Sequence, residues 1–299
     1  MPTLPASSSA RAFGMLLAAA AGVLWGSMSV AAQHLMQTGA FIVNDLVSFR
    51  MLGAGIVLLL WEAISLRGRF FALIRRFAAP FLVYGIGMLC IQWTFFEAIS
   101  VSNAATAALM VTFGPLFVTG WTAFSERRAI RPREWLAIAL AAAGVVLIVT
   151  KGDFSSLDMN AMGAFWGILS SASGAFCTVQ PRRILPYIPV GLLVGIGMTI
   201  GGGLLTIIDP PNLGEIRWTL ESALLYGYIA LFGTVGAFCC YLKSLEFIPA
   251  PTTALLGSFE PLSALFLGTL LLGISFGPME LLGAALILTM VAVLARGSK

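Results

Sequence analysis

The chain has 299 residues, of which 59% are hydrophobic and only 10% charged, with a formal net charge of +4 at pH 7. Soluble domains carry about 25% charged residues, and a mean hydropathy of +0.96 leaves too little polar surface to face water. Composition therefore excludes a soluble enzyme, a nucleic-acid binder, a disordered chain and a disulfide scaffold, and describes a polytopic membrane protein.

A helix needs about 20 apolar residues to cross the hydrocarbon core. Cut at turn residues, the apolar runs predict spans at 13–33, 44–66, 78–98, 103–124, 133–150, 161–181, 187–208, 220–242, 250–272 and 277–296. Unbroken runs of this length argue for helices, because a barrel needs short segments of alternating character. The stretch Met1–Ala10 has no positive region of its own and is read as a retained cytoplasmic tail. The longest loop, around Asp209–Thr219, is too short to fold alone. Cys90, Cys177, Cys239 and Cys240 lie in apolar runs without metal-ligand spacing, so they read as buried thiols.

Charge sets the expected orientation. With the N-terminus in the cytoplasm, inside segments hold fourteen Lys and Arg, clustered at 67–76, 127–133 and 182–183, whereas outside loops hold only Lys151 and Arg217. This positive-inside bias implies an even number of spans and two cytoplasmic termini. The second half also repeats the first. At an offset of 146, Pro115 meets Pro261, Phe113 meets Phe259, Leu109 meets Leu255, Pro132 meets Pro278 and Glu134 meets Glu280; Phe13-Gly14 is matched to Met162-Gly163 at 149. Five spans per half force opposite orientations. The Arg-rich segment 125–134 and its Lys- and Arg-free partner 271–280 agree with that. The expected fold is an all-α polytopic membrane protein of ten transmembrane helices, arranged as two inverted five-helix repeats. The expected divisions are a tail at 1–12, repeats at 13–150 and 159–296, a connecting loop at 151–158 and a tail at 297–299. Inverted repeats typify secondary transporters with a midplane site.

Gly14 and Val23-Leu24-Trp25-Gly26 in the first span, with Phe259-Glu260-Pro261-Leu262 and Leu270-Leu271-Leu272-Gly273 in the ninth, resemble the EamA-type drug/metabolite transporters along the whole chain. Gly273 is followed by Ile274, where the family often has Glu after the Gly. Within the family the chain is most similar to the YddG-type aromatic amino acid exporters. The resemblance implies a small-molecule exporter with a central cavity lined by spans 1, 3, 4, 6, 8 and 9.

Polar side chains in hydrocarbon should face a cavity or a partner. Glu260 is read either as a proton-exchanging group or as a neutral hydrogen-bonded one. Pro115 and Pro261 each free a carbonyl four residues earlier and read either as hinges or as static kinks. Arg50 reads as a structural tie near the outer mouth, with Glu97 as one partner option, or alternatively as a substrate-binding residue. Trp25, Tyr84, Met88, Gln92, Trp166, Ser170, Ser173, Tyr228 and Ser258 are the candidate substrate-binding residues. Their helical stripes suit a mostly apolar pocket and, alternatively, plain helix packing. Trp61, Trp93, Trp121, Trp135 and Trp218 are placed in the interfacial belt. His34, the single histidine, reads as a solvated mouth residue, with pH sensing as the alternative. No nucleophile motif or phosphate loop occurs, and no lysine lies deep in a span. The expected protein is thus not an enzyme, has no cofactor, metal or nucleic-acid partner, and acts in the lipid bilayer as a monomer or homodimer. It exports amino acids or similar neutral and zwitterionic metabolites across the inner membrane. A membrane-embedded enzyme, a passive channel and an exporter of hydrophobic drugs are the rival readings.

Overall fold

The computed structural model describes residues 8–125, 127, 129–151, 158–244, 247, 248, 253, 256, 257 and 259–295. Ser258, most of the expected connecting loop and the C-terminal tail lie outside them. Among the described residues there is no strand. The helices are α1 (Ser8–Gln37), α2 (Val43–Leu66), α3 (Arg69–Arg76), α4 (Ala78–Val101), α5 (Ala104–Val111), α6 (Gly114–Ser125), α7 (Pro132–Thr150), α8 (Asp158–Val179), α9 (Val190–Ile208), α10 (Leu220–Ala230), α11 (Ala237–Ser244), α12 (Phe259–Leu272) and α13 (Pro278–Ala295). A π-helical stretch, Leu231–Gly236, joins α10 to α11.

Five stretches are long and apolar enough to cross a membrane: Ser9–Gln37, Val43–Leu66, Ala78–Val101, Val190–Ile208 and Leu220–Tyr241. Ala104–Val118, Ala161–Cys177, Phe259–Leu272 and Pro278–Val293 are apolar but shorter. Ten full-length spans were expected, and local chemistry accounts for part of the difference. The fourth span breaks at Thr112–Phe113, because Pro115 has no N–H to offer the Val111 carbonyl. That carbonyl accepts instead from Ser171 Oγ in α8, at 2.9 Å. Pro115 and Pro261 are the second residue of α6 and the third of α12, first-turn positions where the missing donor is tolerated. Removing the Ser171 hydroxyl strands the Val111 acceptor. Ser171→Ala is therefore expected to cost about 1 kcal/mol. In a Pro115→Ala background residue 115 regains its own N–H, and the same change is expected to cost almost nothing. Thermal unfolding of the four proteins in detergent checks this.

Contacts between named residues give each helix its direction. Gly22 lies on Phe259 and Gly26 on Ala264, so α1 and α12 run parallel. Leu58 meets Gly195 while Met51 meets Gly202, so α2 and α9 are antiparallel; Tyr84 on Gly197 and Leu89 on Gly201 make α4 parallel to α9. Ser170 bonds Ile91 and Cys177 approaches Tyr84, so α8 runs against α4. Followed through the chain, α1 and α8 point in opposite directions. The main contacts between the halves also survive exchange of the halves. The packing of α1 on α10–α11 matches α8 on α4, α1 on α12 matches α8 on α5–α6, and the pairs α2–α9 and α7–α13 map onto themselves.

Local chemistry repeats with the packing. Helices α7 and α13 both open with Pro and carry Glu at the third position, where it satisfies an orphan donor. Glu134 Oε2 accepts from the Arg131 N–H at 2.7 Å, and Glu280 Oε2 from the Gly277 N–H at 2.8 Å. The first legs correct the expected register. Gly22-Val23-Leu24-Trp25-Gly26 is matched not at 149 but at 141, by Gly163-Ala164-Phe165-Trp166-Gly167. In both copies the two glycines let the helix press onto its partner, Gly22 and Gly26 on α12, Gly163 and Gly167 on the α4–α5 turn and α5.

The helix directions put Arg67, Arg69, Arg75, Arg76, Arg131, Arg133, Arg183 and Lys243 at one end of the bundle, here the lower end, together with Ser8 and Ala295. The upper end holds the α1–α2 turn, Lys151 and Arg217. There Lys151 pairs with Glu280 at 3.2 Å, and the Arg217 N–H donates to the Ala40 carbonyl at 3.2 Å.

Candidate functional site

Arg50 sits in the third turn of α2 and is 1% exposed. Its Nε donates to Thr234 Oγ1 at 2.9 Å and its Nη2 to Gln92 Oε1 at 3.0 Å. The guanidinium carbon lies 4.8 Å from the centre of the Phe96 ring, within cation–π range. Gln92 and Phe96 are four residues apart on α4 and share a face; Thr234 belongs to the π stretch of the other half. The Thr234 hydroxyl donates its proton to the Ile229 carbonyl, five residues earlier, at 2.8 Å, which leaves a lone pair to accept from Arg50. Wider π winding aligns residue i with i−5, and such stretches recur at functional sites.

Two donors remain. Arg50 Nη1 is buried without a partner. Among the described residues no carboxylate is in ion-pair contact with Arg50. The acid whose charge acts on it is Glu260, in the first turn of α12. Glu260 is half-buried. Its backbone is pressed against α1, where a Cβ on Gly26 would collide with the Glu260 carbonyl and Ser263 Oγ and come within 2.9 Å of Ala264 N. Two residues further along α1, Met28 packs on Gly233 and touches Thr234. At a rise of 1.5 Å per residue, the Glu260 and Thr234 levels differ by roughly 3 Å along α1. A guanidinium from the first half and a carboxylate from the second thus lie at nearly one depth.

Aromatic clusters flank this layer. Below, the Trp25 ring lies 5.4 Å from Phe238 and 5.3 Å from Tyr241. Above, Trp93 lies 5.5 Å from Trp166, and its indole N–H donates to Asn44 Oδ1 at 2.8 Å. Trp93, expected in the interfacial belt, is half-buried, and Asn44 near the upper end of α2 supplies the acceptor for its N–H. Trp61, Trp121 and Trp135 are exposed near the lower end. Trp218, at the upper end, packs its edge on Phe41 and Tyr226.

The other expected residues are distributed as follows. Tyr84 and Met88 are buried against Gly197 of α9. Gln92 joins Arg50. Ser170 donates to the Ile91 carbonyl at 2.9 Å, stitching α8 to α4, and Ser173 donates to Leu169 within its own helix. Tyr228 shares a 2.5 Å hydrogen bond with Ser27 and stacks near Phe232. The pairing of Arg50 with Glu97 does not occur. One residue beyond Phe96, Glu97 is turned about 100° around α4, and its carboxylate faces Ser100 instead. His34 is paired rather than merely solvated: Nε2 lies 2.8 Å from Glu221 Oε1 of α10. Sequence reasoning missed Thr234 as a ligand of Arg50. The available signal was Gly233-Thr234-Val235-Gly236, two glycines bracketing a hydroxyl in an otherwise apolar helix.

Two cavities open at the upper end. One of about 340 Å³ is lined by residues including Gln33, Gln37, Ser100 and Ser102. The other, of about 220 Å³, lies beside His34, Arg217 and Glu221. The Gln33 side-chain carbonyl accepts from the Ala104 N–H at 2.8 Å, tying α1 to α5 beside the larger one.

The description "EamA-like transporter family" matches this chain twice, over residues 12–150 and 161–296. The uncharacterized inner membrane transporter YicL of Salmonella typhimurium is 32% identical over 96% of each chain. The inner membrane transporter YedA of Escherichia coli is 28% identical over 92% of this chain and 88% of its own. The threonine/homoserine exporter RhtA of Escherichia coli is 26% identical over 70% of this chain and 68% of its own. A solved crystal structure superposes with a TM-score of 0.63 at 17% identity, covering 96% of this chain and 99% of the other, and so shares the fold.

Proposed function

The chain belongs to the EamA-like transporter family, and from that premise we propose that it is a secondary transporter of the inner membrane, exporting amino acids, aromatic ones among them, or related small zwitterionic metabolites by alternating access. In this reading ten transmembrane helices form repeats at 13–150 and 159–296 that rock about a shared site. Pro115, beside the break at Thr112–Phe113, and Pro261 serve as hinges, and Glu260 is the group able to exchange a proton. Both termini face the cytoplasm; the Arg-rich lower end supports that orientation. The cargo is a small molecule, the surroundings are lipid, and the functional unit is a monomer or homodimer. One observation carries the reading. A buried, incompletely paired Arg50 is held jointly by both halves at depth, and an intramembrane ionisable group marks a transport pathway by default. The RhtA likeness supports an amino acid cargo.

The test uses purified protein in proteoliposomes loaded with unlabelled threonine, homoserine or phenylalanine. Saturable counterflow of the labelled amino acid is expected. Flux that is linear in concentration and lacks counterflow would identify a pore, and no flux of any amino acid would remove the reading. A second reading, export of hydrophobic metabolites, is favoured by the aromatic clusters around Trp25 and Trp166. It predicts that an uncharged aromatic probe is carried at least as well as phenylalanine in the same vesicles.

A further inference from the structure

A buried guanidinium with one free nitrogen is an unfinished anion site. Arg50 Nε and Nη2 are engaged by neutral acceptors, so its charge is held in place but not neutralised by contact. Its Nη1 has no partner although the residue is 1% exposed. Desolvating an unpaired donor of this kind is costly, and a carboxylate accepts from a guanidinium with matched geometry. On the other side stands Glu260, fixed by the close contact of its backbone with Gly26. It is near enough to act on Arg50 through its charge but is not bonded to it. The first half thus carries a buried cation and the second an acid at nearly the same depth, with no ion pair between them.

We infer that Arg50 and Glu260 form a zwitterion clamp, in which Arg50 receives the α-carboxylate of an amino acid through Nη1 and the Glu260 carboxyl group receives its ammonium group. The inference rests on the transport reading above and deepens it. It assigns Arg50 and Glu260 as the residues that set specificity, and it makes recognition depend on both charges of the cargo at once. Binding closes two half-made ion pairs and draws the two halves together around the molecule. Cargo with a single charge leaves one of the two residues uncompensated.

The experiment is competition against labelled threonine counterflow in proteoliposomes of the full chain. Competitors are threonine itself, N-acetylthreonine, which keeps only the carboxylate, and threoninol, which keeps only the amine. Each single-charge analogue is expected to compete at least about tenfold more weakly than threonine, the loss of one charge-assisted contact. Glu260→Gln is expected to remove the preference for threonine over N-acetylthreonine while keeping the preference over threoninol. Arg50→Gln is expected to show the opposite pattern. If Arg50→Gln fails to fold, the Glu260→Gln ratios decide alone. Threonine counterflow with equal competition by all three compounds, or substitutions that lower flux without altering the ratios, would overturn the clamp and leave the transport reading intact. No counterflow with any amino acid would remove both.

Discussion

Glu260→Gln alone is expected to destabilise the protein by about 1–3 kcal/mol, whereas in an Arg50→Leu background the same substitution is expected to be nearly neutral. When ionised, Glu260 is the acid whose charge acts on Arg50, without touching it. Neutralising it leaves a guanidinium in a low-dielectric interior with only neutral ligands, whereas removing the guanidinium as well leaves no buried cation to compensate. Arg50→Leu has its own cost. The Gln92 carbonyl loses its donor, although the Thr234 hydroxyl keeps its bond to Ile229. Once the cation is gone, however, Glu260 has nothing left to neutralise. A double-mutant cycle by thermal unfolding in detergent, with counterflow measured in parallel, reads the coupling. Additive stabilities would show that the two residues ignore each other. Counterflow is expected to be lost in the double variant even where its stability approaches that of Arg50→Leu, which separates function from folding.

Gly26→Ala carries the largest expected packing effect. A methyl group there meets the Glu260 carbonyl and the Ala264 backbone nitrogen, neither of which can rotate away as a flexible side chain would. Helices α1 and α12 must separate, at a cost of about 2–3 kcal/mol typical of overpacking, and lipid offers no hydrophobic drive to press them together again. The same shift moves Glu260, so flux is expected to fall with stability. Gly203→Ala is the control. It also lies inside a helix, but a methyl group there meets nothing within 4 Å, and no loss is expected. Equal behaviour of the two variants in a thermal melt would contradict the contact described between α1 and α12.

The helical class and the doubling of the chain were legible because hydrocarbon permits few alternatives: long apolar runs and Arg-rich ends write membrane helices directly into composition. The register of 146 was legible where chemistry is local, at Pro132 with Glu134 and Pro278 with Glu280, since caps depend on neighbours in sequence. It was misread in the first legs. Phe13-Gly14 is a common dipeptide pattern, whereas the informative unit was Gly-x-x-Trp-Gly, whose glycines matter only through the partner helix they admit. Gln92 was singled out from its stripe on α4, but its purpose depends on Arg50 from α2 and Thr234 from the π stretch. Periodicity within one helix carries no information about which residues of distant helices meet. The extra residue per turn near Thr234 is invisible to a 3.6-residue template for the same reason.

Arg50 and Glu260 have no counterparts of like charge: 146 residues after Arg50 stands Ile196, and 146 before Glu260 stands Gly114. The cation rides on one half and the anion on the other. When two halves tilt in opposite senses, opposite charges carried in opposite directions add their displacements instead of cancelling. A full membrane crossing of one charge is worth about 2.3 kcal/mol per 100 mV, so even a fraction of it couples the cycle to voltage. In the proposed rocking cycle, with Glu260 ionised, the resting potential is expected to favour one facing state over the other even for a zwitterionic cargo of no net charge.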